Sequence, residues 1–143
     1  FSLNILHGKK LVPWYCYGWE EEYLACKSPT DKVIKMCAVR LQRMWEGYES
    51  LSDEQKKQVL FIGFDTFATN PEPDVVKMEN FIGRTRTGSL RKALTKGRIP
   101  RIIKPEDREK KEQDIRSKAS PECISIMEDL VEEYEKRIKH IYG

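Results

Sequence analysis

The stretch RTRTGSLRKALTKGRIPRIIK, residues 84–104, carries eight Arg or Lys side chains and no Asp or Glu. The bases are Arg84, Arg86, Arg91, Lys92, Lys96, Arg98, Arg101 and Lys104, and five of them are Arg, whose planar fork of donors matches phosphate oxygens two at a time. Thr85, Thr87, Ser89 and Thr95 add neutral donors, and Gly88 and Gly97 let backbone N–H groups approach an anion closely. The chemistry these types can do is the holding of phosphate.

Composition isolates that stretch further. The chain carries a net charge of +3, and the +8 of residues 84–104 leaves −5 for the remainder. Elsewhere the two signs are closely mixed, which is the pattern of an ordinary solvated surface. A single-signed run bears on association partners rather than on fold. Two polyanions suit it. Nucleic acid gains from counterion release and, when unpaired, from stacking on aromatic rings. An anionic phospholipid surface suits clustered bases with apolar neighbours, here Leu90, Leu94, Ile99, Ile102 and Ile103. The run RTGS around Arg86 and Ser89 also has the look of a basic-directed kinase site.

Other chemistries find few residues. The phosphate-loop, dinucleotide, nucleophile-elbow and zinc-protease motifs are all missing from the sequence. His7 and His140 are the two histidines, and no spacing sets a nucleophile beside either. His7, Cys16, Cys26 and Cys37 are metal-ligand types, but they are spaced by nine, ten and eleven residues, unlike any compact zinc knuckle. The expectation is therefore a protein that is not an enzyme, with no cofactor, no metal and no small-molecule substrate. The cysteines form no C-x-x-C pair, and Cys37 and Cys123 fall on apolar helical stripes, so they read as core residues of a protein from a reducing compartment, cytoplasmic or nuclear. No run approaches the roughly 20 apolar residues of a membrane-spanning helix. The chain opens on Phe1, as a processed or excised product would.

The elements that must position the basic stretch are helical. At 143 residues the chain fits one domain, and its fourteen aromatic residues argue for a real core. Residues 1–27 read as an irregular, aromatic-rich lid followed by a short helix over WEEEYLAC, with Trp14, Tyr15, Tyr17 and Trp19 as candidate stacking rings. Ser28 with Pro29, or Thr30 with Asp31, starts a long helix with apolar residues at 33, 37, 41, 44 and 48. Ser52 and Gln55 form a capping box before the most apolar stretch, which predicts a central helix to about residue 69, with a strand over QVLFIGF as its competitor. PDVVKMENFIG predicts a helix closed by Gly83, and SLRKALTKG a brief one opened by Ser89 and closed by Gly97. Residues 105–119 have almost no apolar stripe and suit a solvated helix or a linker. Ser120 and Pro121 start a C-terminal helix to residue 142, with apolar positions from Cys123 to Ile141.

The expectation is thus a compact all-α bundle of about five or six helices that binds a polyanion, RNA first, through residues 84–104. The alternative is a structural or assembly protein docking on anionic membrane or an acidic partner. The basic stretch and the acidic last helix are complementary, so copies of the chain could also join as a homo-oligomer. A helical domain with a basic face that self-associates is the combination used by viral matrix and nucleocapsid proteins, and this chain is similar to them in composition.

Overall fold

Gly8 and Lys9 make a two-residue turn that folds the first residues into an antiparallel hairpin, β1 (Asn4–His7) with β2 (Lys10–Pro13), in the register Ile5 opposite Val12. Gly8 has φ +59, the positive value that the first turn position of a type II′ hairpin demands and that glycine adopts without penalty. The hairpin replaces the loop or extended segment expected there. In this computed structural model residues 3–142 are described, with Ile138, Ile141 and Tyr142 given by backbone alone. The expected apolar roles of Ile138 and Ile141 lie outside that description.

A short 3-10 turn over Trp14–Cys16 leads to α1 (Glu20–Ala25), and α2 (Pro29–Glu49) follows. Val12, Cys16 and Trp19 are buried together, with Ile5, Tyr15, Tyr23, Leu24, Met36 and Val39 packed around them. Trp19, with Tyr15 and Tyr23 against it, therefore belongs to a small core under the hairpin, while Trp14 and Tyr17 stay exposed. Trp19 meets Tyr23 edge-on at 5.6 Å, and its indole N–H donates to the Tyr15 carbonyl.

The Ser52/Gln55 capping box forms in full, yet α3 (Asp53–Lys56) lasts one turn. The predicted central helix to residue 69 does not exist, nor does the competing strand. Residues 59–63 run without regular structure, and helix resumes as α4 (Phe64–Thr69). The tertiary gain explains the break. Released from the helix, Phe61 stacks on Trp45 at 5.0 Å and meets Tyr48 edge-on at 4.9 Å, contacts that override local propensity.

α5 (Pro71–Ile82) ends at Gly83 in the left-handed conformation, as its sequence predicts. Then come α6 (Ser89–Lys96), α7 (Pro105–Lys118) and α8 (Pro121–Tyr142). Among the described residues there are eight α-helices, and none is long and apolar enough to cross a membrane. The protein is all-α apart from the hairpin. Helices outnumber expectation because the central one splits and residues 105–118 are helical.

The main seam joins α2 and α8. Asp31 and Lys35 of α2 touch Ser120 and Glu122 of α8, while Trp45 near the other end lies under Arg137. Contacts that advance together along both helices make the pair parallel. Cys123 is buried in this seam as expected, whereas Cys37 is exposed, because it points away from both α8 and the hairpin core.

Candidate anion-binding surface

The basic segment is tied to the fold at two points, and each uses one of its arginines. Arg86 is held by α5. Its guanidinium reaches Glu72 at 2.7 Å and Glu79 at 2.8 Å, and its backbone N–H also donates to Glu79. These bonds hold the Glu79 carboxyl down to about 2 and raise the Arg86 guanidinium further above its ordinary value. Arg86 thus staples the start of the segment, its guanidinium shared between two carboxylates of α5. Arg101 marks the second point. Its N–H donates to the Ala68 carbonyl of α4, and its guanidinium lies 5.4 Å from the Phe64 ring centre.

Between the two anchors α6 presents a sorted surface. Leu90 and Leu94, four residues apart, are half-buried with Ile99, while Arg91, Lys92, Thr95 and Lys96 are exposed. Among the described residues no carboxylate pairs with Arg84, Arg91, Lys92, Lys96, Arg98 or Lys104. The cations of the neighbouring helices are divided, since Arg116, Lys118, Lys136 and Arg137 hold an acid while Arg108 and Lys111 do not.

Both ends of α6 deserve chemical description. Gly88 rather than Ser89 occupies the position before the first helical residue, and no side chain caps the helix. Ser89 Oγ instead lies 2.6 Å from Thr87 Oγ1, and in the first turn the Leu90 N–H donates to the Thr87 carbonyl. At the far end Ile99 N–H donates to the Leu94 carbonyl and Arg98 N–H to that of Thr95. That is the Schellman arrangement, and it puts Arg98 at φ +55 where glycine is usual, because Gly97 falls one residue early. Arg98 is the described non-glycine residue with positive φ.

The other predicted groups are scattered. Trp14 and Tyr17 are exposed and remain available for stacking, Tyr15 is half-buried, and Trp19 is 5% exposed. Trp19 therefore cannot receive a base on its face, which corrects its inclusion among the stacking rings. None of the principal helix contacts joins the hairpin core to α6. His7 pairs with Glu21 at 2.7 Å on the surface. Among the described residues no three His, Cys, Asp or Glu side chains gather as metal ligands. Burial raises the Cys16, Cys26 and Cys123 thiols, so these sulfurs are poor thiolates.

One feature of the surface leaves no mark in the sequence. Leu41, Trp45, Phe61, Leu130 and Arg137 line an apolar hollow of about 180 Å³, with the Arg137 guanidinium 3.8 Å from the Trp45 ring centre. It exists because residues 59–63 leave the helix.

No family model matches the chain, and neither a curated protein nor a solved structure does. The functional reading therefore stands on geometry and charge.

Proposed function

We propose that this chain is a non-catalytic protein that binds polyanions, with the phosphate backbone of nucleic acid as its ligand and RNA favoured. The observation that carries the reading is the set of six bases, on α6 and its flanks, that hold no acid while Leu90, Leu94 and Ile99 are the half-buried side chains among them. Exposed Arg and Lys of this kind gain from displacing the counterions of a nucleic acid. Ser89, Thr87 and the uncapped first turn of α6 supply neutral donors beside them. Exposed Trp14 and Tyr17 support the preference for unpaired RNA bases. Free thiols at Cys26 and Cys37, the latter exposed, support a reducing compartment, cytoplasmic or nuclear.

A second reading, an anionic phospholipid surface, is favoured by one observation. Ile102 is 92% exposed and lies between Arg101 and Lys104, so an apolar anchor sits among bases. Binding to single-stranded RNA, duplex DNA and anionic liposomes, each across a salt series, separates the two. The proposal expects tight RNA binding that falls steeply with salt and weak liposome binding. Liposome binding alone would replace it with the membrane reading, and binding to none would overturn both.

A further inference from the structure

The last two helices open into a groove. α7 and α8 meet at Ala119 and Ser120, where Arg116 reaches across to Glu128 at 2.8 Å. Beyond that point they diverge, for α8 packs mainly on α2 and the principal contacts do not include α7 with α8. Between the arms, and closed at one end by α4 and residues 101–104, lies a groove of about 980 Å³. Its apolar surface comes from Phe64, Ile103, Ile115, Met127 and Val131, and Ile102 stands at the mouth, 92% exposed.

The two lips of the groove have opposite charge. The α7 side carries four cations, Lys104, Arg108, Lys111 and Arg116, against two acids, Asp107 and Glu112, and of the cations only Arg116 holds an acid among the described residues. The α8 side carries Glu128, Glu132 and Glu135. Glu132 is engaged with Lys136 of the next turn, an exposed pair that exchanges readily for another cation. A two-fold axis along such a groove turns each basic lip onto an acidic one, which is the self-complementarity that an isologous interface requires.

Surface area points the same way. A folded monomer of this mass exposes about 7,700 Å². This chain, at 16.8 kDa, exposes 11339 Å². The excess is larger than the roughly 800 Å² that each partner of a standard protein interface loses. Phe64, Ile102, Ile103 and Val131 are among the large apolar side chains left open.

We infer that a second copy of this chain closes over the groove about a two-fold axis, the α7 lip of each copy facing the α8 lip of the other. The isoleucines that favour a lipid surface are in this arrangement the apolar centre of the interface.

The test is sedimentation of the full chain without nucleic acid or lipid. Two variants are made, Arg108→Glu with Lys111→Glu in one chain and Glu132→Lys with Glu135→Lys in another, neither touching the bases of α6. The expected result is a dimeric wild type, each variant monomeric alone with its helical circular dichroism retained, and a dimer on mixing the two in equal amounts. Mixing restores both lip pairs, so a folding defect cannot imitate that recovery. Ile102→Asp, in a loop, is a further variant expected to be monomeric and folded. A wild type that stays monomeric at high protein concentration would overturn the inference. So would variants that dimerise alone, or a mixture that stays monomeric beside a dimeric wild type.

Discussion

The carboxylate of Asp31, in the first turn of α2, accepts a 2.8 Å hydrogen bond from the backbone N–H of Ser120, the residue that opens α8. The same Asp31 donates its own N–H to Ser28 Oγ, and Cys123 N–H donates to Ser120 Oγ. Two parallel helices bring their positive ends side by side, and a buried negative charge between them offsets that repulsion. Asp31 is 4% exposed, and the Ser120 N–H bond, chief among several, holds its carboxyl below the usual range.

Replacing Asp31 by Ala leaves the half-buried N–H of Ser120 without its acceptor and the paired helix ends uncompensated. The expected outcome is a melting temperature lower by several degrees, with faster amide exchange over the first turns of α8. Thermal melts and hydrogen exchange check it. An unchanged melt would mean that the seam is held elsewhere.

Trp19 and Tyr17 separate structure from surface. Trp19→Ala empties the core under the hairpin and is expected to cost about 3–5 kcal/mol, the range for buried Trp or Phe. Tyr17, 73% exposed, is expected to change stability by less than about 0.5 kcal/mol on replacement by Ala. Denaturant unfolding of the two variants measures both.

Acid should release the basic segment from α5. The Glu79 carboxyl is held at about 2, below its unfolded value, by Arg86. Its stabilisation is therefore complete above the ordinary carboxylate range and is lost as pH falls toward 2. Glu79→Gln removes that dependence. Wild type should lose more stability than Glu79→Gln between pH 5 and pH 2, and parallel losses would contradict the pairing.

Arg98 tests whether a strained residue is kept for its charge. Its φ of +55 fits glycine, so Arg98→Gly is expected to stabilise α6 by roughly 1 kcal/mol and yet to weaken RNA binding. Amide exchange across α6 and an affinity measurement together decide it. A variant less stable than wild type would show that the left-handed cap costs nothing here.

Helix starts were legible in the sequence because they are local. Ser28-Pro29 and Ser120-Pro121 begin helices where their side chains say so, and Gly83 ends α5. What failed was long-range. The run from Val59 to Phe67 has the composition of a buried helix, but Trp45 and Tyr48, more than ten residues earlier, draw Phe61 out of it. The hairpin was hidden because Gly8-Lys9 is a weaker turn signal than Asn-Gly. For the basic segment, charge was visible but occupancy was not. Nothing near Arg86 in sequence reveals Glu72, fourteen residues away, as its partner. The aromatic side chains were misread in one case, Trp19, for the same reason, since burial depends on Val12 and Cys16 closing over it.

The most direct test of the account is the salt dependence of single-stranded RNA binding by wild type and by the Arg91→Ala, Lys92→Ala, Arg98→Ala triple variant. Each phosphate contact on a single strand contributes about 0.7 to the slope of log affinity against log salt. The account predicts a folded triple variant with weaker binding to every RNA sequence and a slope smaller by about 2. Unchanged affinity and slope at low salt would contradict it and leave the outward face of α6 without a polyanion to hold.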